Sequence, residues 1–261
     1  MLSLGYARLG GISGLLFVIL VLPSYLSAPD SPVATSSPQE VIDYFGNRQD
    51  GILTNNGLLL VFAAFFFLFF LGALYGVLRG AEGEGHGLAA VSLAGGLLFV
   101  ALVLAGAAVE IAYPATLARF ESFREGAQLG FFSLALSGWM YRFAFVGMSA
   151  LIAAASLMVL RTGILPNRLA WGGFVAALAA LLRLLGPLAG WLALLWLVAA
   201  SVSCSSAPAD VVRPARARRA RLDGTSRSDR GPSGLGPFAC PADGFWALLC
   251  GPATPFLLSD A

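Results

Sequence analysis

Residues 61–78 read VFAAFFFLFFLGALYGVL, an uninterrupted apolar run that ends immediately before Arg79. A hydrocarbon core about 30 Å thick is crossed by an α-helix of roughly 20 apolar residues. The phenylalanines of this run fall on every face of a helix, as expected of a segment surrounded by lipid and other helices. Of the 261 residues in the chain, 58% are hydrophobic and 11% are charged, whereas soluble domains carry about 25% charged residues. The sequence therefore predicts an all-α, integral membrane helical bundle.

Apolar blocks of similar length recur over the first 204 residues, with polar links between them. The last block, 169–203, is too long for one crossing, and Gly186 and Pro187 would form a tight turn within it. We therefore predict a transmembrane domain over 1–204 and a separate tail over 205–261. Six spans are expected, at about 10–26, 57–78, 87–109, 143–160, 169–185 and 188–204, and a count of five stays open. The first block resembles a secretory signal, but a retained helix is favoured because the rest of the chain is membrane-embedded.

The polar segment 27–51 contains a helix start ahead of the second span. Ser37 can cap a helix, Pro38 suits the first helical position, and Glu40 completes an S-x-x-E capping box. The short helix that follows has an apolar side, so we expect it to lie along the membrane surface or to pack on the spans. A role as a connector is favoured over a role as a ligand-facing cover.

The start of the fourth span is set by a charge. Arg142 would be costly deeper in the hydrocarbon core, so the span is expected to begin at 143. The residues before it include Trp139 and Tyr141, which favour headgroup level. We interpret them as an interfacial approach to the span.

Residues 161–174 read RTGILPNRLAWGGF and contain two arginines in a short loop without an acid. Pro166 cannot continue the preceding helix, and Trp171 would anchor the next span at the interface. Short arginine-containing loops are retained on the cytoplasmic side. Arg161 and Arg168 therefore predict that this loop lies inside, and with six spans both termini are then cytoplasmic. The basic residues of the other segments are equally divided between the two sides, so the arginine-rich tail decides this orientation. This orienting role is favoured over catalysis or binding by either arginine.

A search for catalytic and metal-binding motifs finds little. The sequence has no HExxH, GxSxG or Walker A motif, its three cysteines show no CxxC spacing, and its single histidine, His86, lies among glycines that would not fix a metal ligand. We therefore expect no catalytic residue, no bound metal and no cofactor. Glu110 and Arg183 lie close enough to the bilayer for a speculative intramembrane pair, although snorkelling of each side chain also explains them.

The composition changes at about Ser205. Residues 211–234, VVRPARARRARLDGTSRSDRGPSG, are basic, contain Pro and Gly, and lack a periodic apolar face, so a disordered tail is predicted. The arginines of the tail could bind anionic headgroups, but a solvated run that sets the topology is favoured. A second alternative stays open, namely a frameshifted C-terminus, because other frames of GC-rich DNA often encode Arg, Pro, Ser and Gly.

The order of these features resembles the domain-of-unknown-function 4386 type of bacterial multi-pass membrane protein. The resemblance rests on a first span near the start, on SPQEVIDYFGNRQDGIL at 37–53 before an aromatic span, and on RTGILPNRLAWGGF before the last pair of helices. The last of these is similar to a pattern R-T-G-hydrophobic-L-P-x-x-L-x-W-x-G. The resemblance covers about residues 8–200, and the chain departs from it after about Ser201. It implies an integral membrane protein without an assigned activity.

We expect a non-enzymatic protein of a bacterial plasma membrane that acts through membrane lipids or protein partners. The alternative is a small-solute transporter or channel, for which the spans offer only scattered Ser, Thr and Gly to line a polar path. A net charge of +2 gives no indication of a nucleic-acid partner. The sequence does not indicate a particular protein partner or a homo-oligomer.

Overall fold

A computed structural model describes residues 2–27, 32, 36–82, 87–119, 127–163, 167–182 and 187–205. All regular structure in these residues is helical. In chain order the helices are α1 Leu2–Ser27, α2 Pro38–Ile52, a π-helical segment Leu53–Leu59, α3 Leu60–Glu82, α4 Leu88–Arg119, α5 Ala127–Thr162, α6 Asn167–Leu182 and α7 Pro187–Ser205. The prediction of an all-α fold is confirmed.

Five helical stretches in the described residues are long and apolar enough to cross a membrane. They are Arg8–Leu26, Pro38–Glu82, Leu88–Thr116, Gln128–Thr162 and Leu188–Ser205. A further apolar helix, α6, has 16 residues and is therefore about 24 Å long, which is less than a hydrocarbon core of about 30 Å. The apolar block 169–203 is thus divided between α6 and α7, and the number of crossings is five or six according to whether α6 crosses.

The two faces of α6 indicate whether the bundle is surrounded by water or by lipid. Its outward face carries large apolar side chains, namely Trp171, Val175, Leu178 and Leu182, each more than half exposed. The face that packs on the bundle carries small residues, Ala170, Gly173, Ala176, Ala177, Ala179 and Ala180. Small residues between helices and large apolar residues outside are typical of helices that pack within lipid. The chain is a membrane-embedded helical bundle.

The predicted capping box is present at the start of α2. The backbone N–H of Glu40 donates to Oγ of Ser37 at 3.3 Å, and the Ser37 N–H donates back to the Glu40 carboxylate at 3.2 Å. The helix that follows does not end before the second span, because α2, the π-helical segment and α3 form one helical stretch, Pro38–Glu82. The structure therefore differs from the expected separate short helix: α2 is a continuation of the span, and it packs against α4 and α5.

Two of the helices are longer than a bilayer requires. α4 and α5 have 32 and 36 residues, or about 48 and 54 Å at 1.5 Å per residue. The residues interpreted as an interfacial approach to the fourth span are regular turns of α5, continuous with the span, and their depth in the membrane stays a prediction. Where α4 and α5 meet α2, a small second core forms from Val41, Phe45, Ile52 and Tyr113. The extra turns of α4 and α5 thus form, with α2, a cap at one end of the bundle.

The main core lies between α1 and the helices α3 to α7. Phe67 is fully buried there, with its ring centroid 4.8 Å from that of Phe17 and 5.4 Å from that of Phe99. α4 and α5 approach most closely where glycines face each other: a Cβ on Gly147 would lie 2.6 Å from the carbonyl oxygen of Gly95. Close packing of this kind supplies the dispersion contacts that hold membrane helices together, since lipid removes the hydrophobic drive between them.

Several predictions fall on residues that the structure does not describe. Pro166, Arg183 and His86 lie outside the described residues. The predicted tail does too, except for Ser205 at the end of α7. The predicted roles of these residues therefore stay predictions.

Candidate functional site

The residues expected to set the topology are exposed at one end of the bundle. Arg161 lies in the last turn of α5, and Arg168 and Trp171 lie in the first turns of α6. Gly163 follows α5 with a φ of +64°, a backbone conformation that glycine adopts without strain. The two arginines thus lie near the facing ends of two consecutive helices, and the side of the membrane on which they lie stays a prediction.

Glu110 has partners that the sequence did not indicate. Its Oε2 accepts a hydrogen bond from the hydroxyl of Tyr141 on α5 at 2.9 Å. The side chain of Asn56, in the π-helical segment, lies close to the same carboxylate. These three half-buried side chains, from three helical segments, are called the Glu110 site below. The predicted partner of Glu110, Arg183, lies outside the described residues.

The backbone of α4 is irregular at the Glu110 site. Pro114 lies within α4, four residues after Glu110. Proline has no N–H, so the carbonyl of Glu110 lacks the donor that a regular helix would supply, and the proline ring crowds that carbonyl. The carbonyl that lacks its helical donor and the carboxylate therefore belong to the same residue.

The helix that carries Asn56 is irregular in a second way. The backbone N–H of Leu60 donates to the carbonyl of Asn55, five residues earlier. In an α-helix the Leu60 N–H would donate to the carbonyl of Asn56. The Asn56 carbonyl therefore lacks its usual helical donor. Single π-helical turns inside longer helices frequently occur at functional sites. The two irregular stretches, around Asn56 and around Glu110, thus contribute to one site.

Further hydrogen bonds fix the surroundings of the Glu110 site. Nε2 of Gln49 donates to the carbonyl oxygen of Pro114 at 3.2 Å and ties α2 to α4. Oγ of Ser133 donates to the carbonyl oxygen of Val109 and ties α5 to α4. The hydroxyl of Tyr113 is buried without a hydrogen-bond partner among the described residues. The hydrogen bonds therefore fix α2, α4 and α5 relative to one another around the site, and the Tyr113 hydroxyl lies in the adjoining cap.

The position of the site along the bundle can be estimated from helix lengths. Ser92, near the start of α4, donates to the carbonyl of Leu151 at 3.4 Å, so α4 and α5 run antiparallel with Leu88 and Thr162 at the same end. From those ends, Glu110 lies about 33 Å along α4 and Tyr141 about 32 Å along α5. A hydrocarbon core is about 30 Å thick. The Glu110 site thus lies near the boundary of such a core, between the bundle and its cap.

The charge of Glu110 is not balanced by a neighbouring arginine of the described residues. Arg142 follows Tyr141 but is exposed, with its guanidinium 4.7 Å from the ring centroid of Trp139. The ion pair seen in the described part of the chain is at the other end of the bundle, between Arg79 and Glu82 at 3.7 Å. Ionisable residues within membrane helices are by default hypotheses of function, and Glu110 is such a residue in the described part of the chain.

A second polar place lies between α5, α6 and α7. The hydroxyl of Ser156 and the indole N–H of Trp196 are buried without partners among the described residues. Both lie beside Gly173, where a Cβ would come within 2.6 Å of the indole nitrogen. A single buried water is the usual partner of such donors, so this place is weaker as a functional candidate than the Glu110 site.

The fold and the site define a class, an all-helical multi-pass membrane protein with a half-buried carboxylate where its bundle meets its cap. No protein-family model, no curated protein and no solved structure matches the chain. Among the described residues, no group of three or more His, Cys, Asp or Glu could hold a metal ion.

Proposed function

We propose that the protein is a non-enzymatic protein of a bacterial plasma membrane that acts by binding partners, lipid or protein, and not by moving solute across the bilayer. The observation that carries this proposal is the continuous apolar core. Phe67, Leu71, Leu151 and Leu197 are each at most 1% exposed, and they belong to one cluster that joins the spans. A polar path would have to interrupt this cluster, whereas binding at the cap or at the lipid-facing surface would not.

The test of this proposal is solute flux in liposomes that contain the purified full-length protein. Uptake of radiolabelled alanine, glucose and phosphate should equal uptake by empty liposomes, with and without an imposed ion gradient. Tryptophan fluorescence of the reconstituted protein would verify that it is folded in the same preparation. Uptake above the empty-liposome rate would reject the proposal and favour the second candidate.

The second candidate function is a small-solute transporter or channel. One observation favours it, namely that Glu110 lies within an apolar helix and is hydrogen-bonded rather than ion-paired by its described neighbours. Carboxylates in this position occur on ion and substrate pathways. Transport would then have to open the apolar core, and replacing Glu110 by Gln would abolish any flux that is found.

The proposed orientation places the Arg161 end of the bundle in the cytoplasm and the cap outside. Two exposed residues report the two ends: Asn47 on α2 and Asn167 at the start of α6. Each would be replaced singly by Cys in a protein whose Cys240 and Cys250 are changed to Ser. Cys204 can be kept, because it is buried and should not react. With a membrane-impermeant maleimide, N47C should label in intact cells and N167C only after lysis. The reverse pattern would invert the orientation.

The resemblance to domain-of-unknown-function 4386 type proteins is part of this proposal and rests on the sequence motifs given above. The proposal also includes the binding of anionic headgroups by the arginines of the tail. Removing residues 206–261 should leave the bundle folded and should reduce sedimentation with vesicles that contain anionic lipid, if the tail contributes to binding. Unchanged sedimentation would show that the tail does not contribute to the binding of anionic lipid.

A further inference from the structure

We propose that the Glu110 site binds a monovalent alkali cation, Na⁺ or K⁺. This inference goes beyond the proposed function and does not depend on it, since a cation can be bound at one end of a bundle that carries no solute across. It is carried by the meeting of a carboxylate with two stretches of irregular backbone, at Pro114 in α4 and in the π-helical segment.

The site is composed of oxygen atoms, which hard cations prefer as ligands. The Glu110 carboxylate is joined by the Tyr141 hydroxyl and by the Asn56 amide. The hydroxyl of Tyr141 and the amide of Asn56 each carry an oxygen whose lone pairs can face a cation. The carbonyls of Glu110 and Asn56 lack their usual helical donors, as shown above. Backbone carbonyls at unwound stretches of helix coordinate cations in membrane transporters.

The charge of the site favours a monovalent ion. Glu110 supplies one negative charge, and the remaining oxygens are neutral. Divalent cations are commonly bound through several carboxylates, and their affinity is tuned by the number of charged ligands. A single carboxylate without a described arginine partner would be neutralised by one alkali ion.

The packing around the site favours an ion over a lipid headgroup. A Cβ on Gly57, in the π-helical segment, would lie 3.7 Å from Cδ1 of Ile111 on α4. The gap between the two segments, one residue away from Asn56 and from Glu110, is therefore about the width of a methyl group. An ammonium group on a lipid would need an open cleft between them, whereas a single ion needs only the space between the oxygen atoms.

The first experiment measures thermal unfolding of the full-length protein in detergent at constant ionic strength. Choline chloride is replaced stepwise by NaCl or by KCl, and in a parallel series by ethanolamine hydrochloride. A bound ion stabilises the folded state as its concentration passes the dissociation constant, so the midpoint should rise and saturate with one of the alkali ions. Equal midpoints in all salts would overturn the proposal. A larger rise with ethanolamine would overturn it in favour of an amine ligand.

Two variants test whether a rise of the unfolding midpoint with the alkali ion comes from the Glu110 site. Glu110→Gln should abolish the dependence on the alkali ion. Asp50→Asn removes an exposed carboxylate of α2 and should keep that dependence. If Glu110→Gln retains the rise, the ion binds elsewhere and the proposal fails.

A direct measurement covers the case in which Glu110→Gln does not fold. Binding of ²²Na⁺ to wild type, with Na⁺ and K⁺ as competitors, would be compared with binding to Asn56→Ala and to Asn47→Ala, the latter at an exposed position. Loss of a group that supports a metal ligand typically weakens affinity by about 10–100-fold. Weaker binding in Asn56→Ala alone supports the proposal, and equal binding in all three proteins rejects it. Flux and binding are separate readouts, so failure of one proposal does not imply failure of the other.

Discussion

The hydroxyl of Tyr141 donates a hydrogen bond to the carboxylate of Glu110 and thereby joins α5 to α4 where the bundle meets its cap. The two residues are 31 positions apart, and they meet because α4 and α5 run antiparallel along most of their length. Near the apolar core, a carboxylate without donors would be costly to keep. The Tyr141 hydroxyl therefore contributes to the position of the Glu110 side chain as well as to the stability of the helix pair.

A double-mutant cycle should detect this hydrogen bond. Tyr141→Phe, Glu110→Gln and the double variant would be unfolded in mixed micelles at a fixed salt concentration. Hydrogen bonds between membrane helices have coupling energies that average about 0.6 kcal/mol and reach about 1.7 kcal/mol. We expect a coupling within that range. Additive effects of the two substitutions would show that the contact contributes nothing to the free energy of unfolding.

The crossing of α4 and α5 gives a second prediction. A Cβ on Gly147 would lie 2.6 Å from the backbone oxygen of Gly95 and 2.7 Å from the nitrogen of Phe99, whereas a Cβ on Gly138 meets nothing within 4 Å. Backbone atoms cannot move aside as a side chain can, so Gly147→Ala should destabilise the protein by about 1–3 kcal/mol. Gly138→Ala, on the same helix, should be neutral or stabilise by up to about 1 kcal/mol. The thermal midpoints of the two variants check this, and similar midpoints would show that the helices cross elsewhere.

The capping box gives a third prediction, concerning α2 alone. Ser37→Ala removes the side-chain acceptor for the Glu40 N–H, and loss of a helix N-cap costs about 1 kcal/mol. Because the helix begins there, the cost should appear as faster hydrogen exchange in the first turns of α2, with little change in α5. Asn47→Ala, at an exposed position of the same helix, is the matched control. Equal exchange in both variants would mean that packing on α4 and α5, not the cap, holds the start of α2.

Some of this architecture could be read from the sequence because it depends on local signals. The capping box depends on residues three apart, and the spans depend on the lengths of apolar blocks. The bounds of α4 and α5 were harder to predict, because the turns that extend beyond the bilayer are stabilised by contacts with α2, such as the ring of Phe45 against that of Tyr113 at 4.8 Å. Arg142, expected to mark the start of a span, is exposed on a continuous helix with its charge over Trp139, and the depth of that start in the membrane stays a prediction.

The Glu110 site was only partly accessible to sequence reasoning. Glu110 itself was identifiable as a charge near an apolar block, and the proline four residues later was a signal that its carbonyl would lack the usual helical donor. The π-helical segment could not be predicted from the sequence, because its hydrogen bonds, each to a carbonyl five residues earlier, depend on how the two halves of a long helix pack. The contact with Tyr141 depends on the rotational phase of two helices about their axes, which hydropathy alone does not determine.

The last prediction concerns the crossing made by α6, which decides between five and six spans. α6 is about 24 Å long, and a span shorter than the hydrocarbon core is accommodated by local thinning of the bilayer at a modest energetic cost. The apolar outward face of α6, with Val175 62% exposed, favours this arrangement over a position in water. Asn167 lies at the start of α6, and exposed Leu188 lies at the start of α7. Single cysteines at these two positions should therefore label from opposite sides of the membrane. Labelling of both from the same side would place α6 along one surface and would leave five crossings.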